Sequence, residues 1–216
     1  KYELKGRSRA PQRAVFGYER PPEPAETPPT SEEVAQAIKD LRSGRAGFRE
    51  WRDKLPIIAR SPEKEAIQFA SGVLGSPWVR GERLAMLLQM IGRISPPEWH
   101  EAVSPFLGDQ DSKVRLAAAM ALMKLRSPKP VKEITAQLKK ETDPSVKGRL
   151  LRALAACRPG EAATSALILK TLKADASEEV RLHAALAAAT LEDRKSVTLC
   201  LAAALEIGRA SCRERV

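Results

Sequence analysis

The sequence predicts an all-α fold built as a stack of repeated helix pairs. Three observations carry that expectation. A short motif recurs at near-constant spacing, with Val79, Val114, Val146 and Val180 separated by 35, 32 and 34 residues. A period in that range marks a helical repeat, in which no unit can bury its apolar face alone. Each of these valines opens an alanine- and leucine-rich stretch whose apolar residues fall at helical intervals; the clearest is Val114, Ala117, Ala118, Ala121, Leu122 and Leu125. Aromatic residues make up only 4% of a chain that is 43% hydrophobic. Small and aliphatic side chains suit closely packed helices better than a β-sandwich or barrel.

The motif explains its own helix starts. A Ser or Asp stands three residues before each valine: Ser76, Asp111, Asp143 and Ser177. Its side chain can accept a hydrogen bond from a free N–H of the first helical turn. A basic residue follows the valine: Arg80, Arg115, Lys147 and Arg181. Pro128, Pro130, Pro159 and Gly160 then mark places where the chain turns. A second apolar stretch of about a dozen residues fits between each turn and the next cap.

In chain order, residues 1–20 form a basic tail or the end of a preceding domain, with a net charge of +4. Residues 21–30 contain Pro21, Pro22, Pro24, Pro28 and Pro29 and read as a semi-rigid linker. The repeat domain is expected over 31–205. Thr30 and Glu33 fit a capping box ahead of a helix with Val34, Ile38 and Leu41 inward and Gly44 at its end. Phe48–Arg60 should form its partner, kinked or shortened at Pro56. Ser61 is the expected cap of the next helix, with Pro62 at its first position. Pairs then follow: 66–74 with 79–94, 99–107 with 114–125, 131–138 with 146–157, and 163–172 with 180–191. Lys195–Leu205 would begin one more unit whose partner never arrives. This makes about five pairs and one unpaired helix.

Residues 206–216, EIGRASCRERV, break the pattern. They resemble the translation of a sequencing adapter and are set aside as a non-native tail. The chain also begins with lysine rather than methionine, so both native termini are expected to be missing.

The motif D-x-x-V-[RK], present as Asp111/Val114/Arg115 and Asp143/Val146/Lys147 with looser forms at Ser177/Val180/Arg181 and Ser76/Val79/Arg80, resembles the HEAT-repeat family. The likeness is in particular to the short HEAT-like repeats common in bacterial proteins. It covers roughly 62–192 and extends back to Ser31. The resemblance implies a right-handed α-solenoid, with second helices lining the concave face. It also implies that the Asp and Arg positions mostly link successive turns, and that the module binds another protein rather than catalysing a reaction.

Chemistry is hard to place in this chain. His100 and His183 lie in different repeats without ligand-spaced neighbours, and no phosphate loop, nucleophile elbow or zinc-protease motif occurs. Glu32, Glu33, Asp109, Asp111, Glu178 and Glu179 cluster at helix starts, where the helix dipole favours them. Cys157 and Cys200 fall on apolar faces and suit packing. Trp51, Trp78 and Trp99 sit near helix ends and suit interhelical contacts. No enzyme activity, metal or cofactor is expected. The candidate partner-binding residues are the polar positions between core residues on second helices: Arg83, Lys113, Lys124, Lys147, Arg149 and Glu178. The net charge of +10 leaves nucleic-acid or other polyanion binding as the alternative. A third reading makes this segment an accessory module of a larger enzyme.

Overall fold

The computed structural model describes residues 28–42, 48–77, 79–192, 195, 197–199 and 202. The basic segment 1–20, most of the proline-rich linker, the tail 206–216, Gly44, Cys200 and the side chain of Trp78 lie outside the described residues. The helices are α1 (Ser31–Arg42), α2 (Phe48–Ala59), α3 (Lys64–Leu74), α4 (Gly81–Ile94), α5 (His100–Val103), α6 (Ser112–Leu125), α7 (Val131–Lys140), α8 (Pro144–Cys157), α9 (Ala162–Ala174) and α10 (Glu178–Ala188). Short 3-10 turns flank α5 on both sides. Among the described residues there is no strand.

The helices form five successive pairs arranged in two layers. The second helices α4, α6, α8 and α10 pack side by side along their lengths. First helices α3, α5, α7 and α9 lie on the other side. Contacts there are sparser, and α7 barely approaches α9. The described helices stack as an α-solenoid in which α4, α6, α8 and α10 form one closely packed layer, here called the inner layer.

Small residues allow that tight spacing. Gly92 of α4 lies so close to α6 that a Cβ on it would be 2.5 Å from Ala121 Cα. At Gly148 of α8 an added Cβ would fall 2.3 Å from Cδ2 of His183 on α10. The alanine-rich interiors of α6, α8 and α10 are buried from end to end. All four repeat valines are core residues, none more than 2% exposed.

The predicted caps form where the motif is strongest. Asp111 accepts from the Lys113 N–H at 2.9 Å, and Asp143 accepts from Ser145 at 2.9 Å and Val146 at 3.1 Å. Ser177 accepts from Val180 at 3.4 Å. The capping box of α1 closes in both directions: the Thr30 N–H donates to Glu33 Oε2 at 2.8 Å and the Glu33 N–H to Thr30 Oγ1 at 3.3 Å.

Four expectations need correction. Ser76 does not cap a helix beginning near Val79; its hydroxyl donates to the Val73 carbonyl at the end of α3. The next helix waits until Gly81, whose φ of +54° is left-handed and interrupts right-handed helix. Val79 is buried all the same, but from the loop. Second, α3 starts at Lys64, not Pro62: Ser61 accepts from the Glu63 N–H at 3.1 Å, two residues before the first turn. Third, α2 continues three residues past Pro56, whose carbonyl accepts the Arg60 N–H at 3.2 Å. Fourth, 99–107 is not one helix. Pro105 and the Ser104 hydroxyl, which bonds back to the His100 carbonyl at 2.7 Å, divide it into a four-residue α-helix between 3-10 turns.

Candidate functional site

The inner layer carries two features: a ladder of bonds at its turn end and a solvent-facing strip along its length.

The ladder begins with backbone geometry. Two residues before each cap stands an acid: Asp109, Glu141 and Asp175. Each accepts the N–H of its cap residue, from Asp111 at 2.8 Å, Asp143 at 3.1 Å and Ser177 at 3.0 Å. The basic residue after the repeat valine then reaches into the following unit. Arg115 grips Glu141 with two bonds, Nε to Oε2 at 2.8 Å and Nη2 to Oε1 at 2.9 Å. Its Nη1 donates to the carbonyls of Asp109 and Gln110, both at 3.0 Å. Lys147 meets Asp175 at 2.5 Å. Arg181 repeats the carbonyl half of the pattern, donating to Asp175 at 2.8 Å and Ala176 at 3.1 Å. Arg80, the weakest copy, donates to the Pro77 carbonyl at 3.1 Å and reaches no acid among the described residues.

Electrostatics follow from this geometry. Burial pushes the Glu141 carboxyl upward, but the Arg115 guanidinium, the Asp143 N–H and Gln137 together hold it below its ordinary range. The same balance of burial against Lys147 and the Ser177 N–H holds Asp175 low. The Glu141 side chain is only 2% exposed, so its charge depends on these partners.

The strip consists of inner-layer side chains at helical spacing that are not fully buried. On α4 it contains Arg83, Met86 and Met90; on α6, Lys113, Leu116, Met120, Met123 and Lys124; on α8, Arg149 and Arg152; and on α10, Glu178, Leu182 and Leu186. Met86 is 64% exposed and Leu182 58%. Of the sequence-predicted candidates, Arg83, Lys113, Lys124 and Glu178 are exposed and Arg149 is half-buried. Lys147 belongs to the ladder instead, because Asp175 holds its ammonium. Neither helix α6 nor α8 contains a carboxylate.

Sequence reasoning missed Glu141 and Asp175, although their signal was present: Asp109, Glu141 and Asp175 recur 32 and 34 residues apart. It also missed that the chain's four methionines all fall on α4 and α6.

The remaining sites of possible chemistry resolve into packing. Trp99 is fully buried and its indole N–H donates to the Ser61 carbonyl at 2.7 Å. Trp51 stacks on Phe69 with ring centroids 6.2 Å apart. His100 Nδ1 lies 3.0 Å from the Pro97 carbonyl. Burial pushes the Cys157 thiol up to about 12, far from a reactive thiolate. Burial, with Arg149 and Arg152 nearby, lowers the pKa of His183. Among the described residues no group of three His, Cys, Asp or Glu could hold a metal ion, and no helix is long and apolar enough to cross a membrane.

Paired helices in two layers, tied unit to unit by acid–base rungs, define a helical-repeat module. Residues 74–155 match the family model described as HEAT repeats, which supports a HEAT-like repeat over that stretch. The match runs from the end of α3 through most of α8 and holds the Asp111 and Asp143 caps and the Arg115–Glu141 rung. No curated protein matches the chain. HEAT repeats commonly mediate protein–protein interaction and are generally non-catalytic.

Proposed function

We propose that this chain is a non-catalytic scaffold that binds a protein partner along the inner face formed by α4, α6, α8 and α10. The observation that carries the reading is the strip itself. Exposed Met and Leu side chains alternate there with Arg83, Lys113, Lys124 and Arg149, where a self-contained surface would be polar. A stack presents such a strip without large loops, so affinity is spread over several units. Glu178 is assigned to its rim at the α10 end.

The test is site-specific photo-crosslinking in the cell that makes the protein. A crosslinker at Met86, Met120 or Leu182 should trap a protein adduct, while one at the exposed outer positions Lys132 or Lys170 should not. Equal trapping from both layers would remove the reading.

The absence of carboxylates from α6 and α8 also supports a second reading, in which a polyanion occupies the same face. Phosphate contacts would make affinity fall steeply with salt, by about 0.9 log units per contact per log unit of salt. A shallow salt profile rejects it. The third reading, an accessory module of a larger enzyme, is decided by the complete reading frame of the gene.

A further inference from the structure

We infer that the inner face across α4, α6 and α8 takes an amphipathic helix from the partner, with an apolar ridge over α4 and α6 and carboxylates over α8. This rests on the inner-face reading above and adds the chemistry of the occupant.

Two features point the same way. The first is the placement of methionine. All four lie on α4 and α6, and none is buried: Met86 is exposed, while Met90, Met120 and Met123 are half-buried. The interior of the same helices is filled by Leu, Ile, Ala and Val. Met90 and Met123 pack against the edge of the core and Met86 stands clear of it, so methionine lines the solvent side of these helices rather than their interior. Its unbranched, polarisable side chain adapts to the ridges of an incoming helix. Leu116 lies on the same strip between the two pairs.

The second feature is unsatisfied charge. Arg115 and Lys147 are consumed by Glu141 and Asp175. Lys113, Lys124, Arg149 and Arg152 have no carboxylate partner among the described residues. Arg149 and Arg152 stand one helical turn apart on α8, beside Gly148, where α8 meets His183 of α10. A row of cations beside an apolar strip is complementary to a helix with carboxylates flanking its apolar ridge.

Other occupants fit less well. The chain's own residues 1–20 carry six bases against two acids and would be repelled. A second copy would set the same cations face to face. Nucleic acid binding commonly uses aromatic platforms, and α4, α6, α8 and α10 contain no Phe, Tyr or Trp. Size is also consistent. Two interhelical steps of about 9 Å each correspond to roughly 12 residues of a crossing helix.

The experiment selects helix-forming peptides of about 16 residues from a random display library against the immobilised full chain. Affinities of the selected peptides are then read by fluorescence anisotropy. The variants are Met86→Glu/Met120→Glu, Arg149→Gln/Arg152→Gln, and an outer-layer control, Lys132→Glu/Lys170→Glu. Circular dichroism checks that each folds. Selected peptides should be acidic with Leu, Met or Phe at helical spacing. Each inner pair should weaken them about tenfold or more, and the outer control should not. Peptides lost with the methionine pair but neutral in charge and indifferent to the arginine pair overturn this inference and leave the inner-face reading standing. Peptides affected only by the outer control overturn both. Selection of nothing above an unrelated protein overturns the inference. So does a single-stranded oligonucleotide of about 16 nucleotides that outcompetes every peptide at the same site, and that result moves the assignment to a polyanion.

Discussion

Replacing Gly92 by alanine should destabilise the protein, although alanine is the better helix former. A Cβ at Gly92 would lie 2.5 Å from Ala121 Cα, 2.9 Å from its Cβ and 3.3 Å from its carbonyl oxygen. Carbon atoms normally settle about 3.5–4.0 Å apart, so α4 and α6 would have to separate by about 1 Å. The obstacle is backbone, which cannot rotate away as a side chain would. Overpacking of this kind costs about 1–3 kcal/mol. Improved helix propensity returns at most about 1 kcal/mol. The net loss should be about 1–2 kcal/mol, a fall in Tm of several degrees at about 2–4 °C per kcal/mol. Gly72 supplies the internal control. It is also helical, in α3, but nothing lies within 4 Å of an added Cβ. Gly72→Ala should raise stability by up to about 0.5–1 kcal/mol. Thermal and urea unfolding followed by circular dichroism reads both. If Gly92→Ala stabilises as Gly72→Ala does, α4 and α6 do not approach as described, and the tight inner layer is wrong.

Other outcomes follow from the ladder and the core. Arg115→Met should cost about 3 kcal/mol in urea unfolding, because it strands the buried Glu141 carboxylate. Lys147→Met should cost clearly less, since Lys147 is 31% exposed and Asp175 13%. An equal cost would contradict the burial assigned to the first rung. Glu141 and Asp175 are both held below their ordinary pKa values. Their contribution is thus complete above the unfolded values of 4.5 and 3.8 and is lost as pH falls through the lower folded values. Stability against urea should decline on acidification below that range, and Glu141→Gln should flatten the decline; an unchanged slope would refute the rung's role. His183, lowered by burial, is favoured neutral in the folded protein. Its contribution is present above 6.5 and is lost as pH falls through its folded value, so His183→Gln should reduce the pH dependence on that acid side. Cys157, with its thiol pushed up to about 12, should resist alkylation in the folded protein when followed by peptide mapping, and react only on unfolding.

Much of the architecture is written locally. Asp111, Asp143 and Ser177 announce their helices because a cap requires only residues two or three positions away. The valine row is legible because burial on one helix face imposes a period. The failures occur where a neighbour decides. Ser76 has the right offset to Val79, but the helix starts only at Gly81, two residues past that valine and left-handed, and the Ser76 hydroxyl finds the end of α3. The 99–107 segment reads as apolar and helical, yet Pro105 and the Ser104 back-bond divide it. For the candidate surface, Arg83, Lys113, Lys124 and Glu178 are exposed as expected, because exposure follows from helical phase. Lys147 could not be separated from them by phase alone. Its partner Asp175 is 28 residues away, as Glu141 is 26 from Arg115. The anions are phased too, but their signal appears only when a second row, two residues ahead of the caps, is sought.

Native-state hydrogen exchange resolved by helix tests the account most directly. If α4, α6, α8 and α10 form one closely packed layer held unit to unit, protection should peak in α6 and α8, which have neighbours on both sides. It should fall toward α1 and α2 at one end and α10 at the other. Protection that is uniform along the chain, or lowest in α6 and α8, would contradict the stack and the inner face built on it.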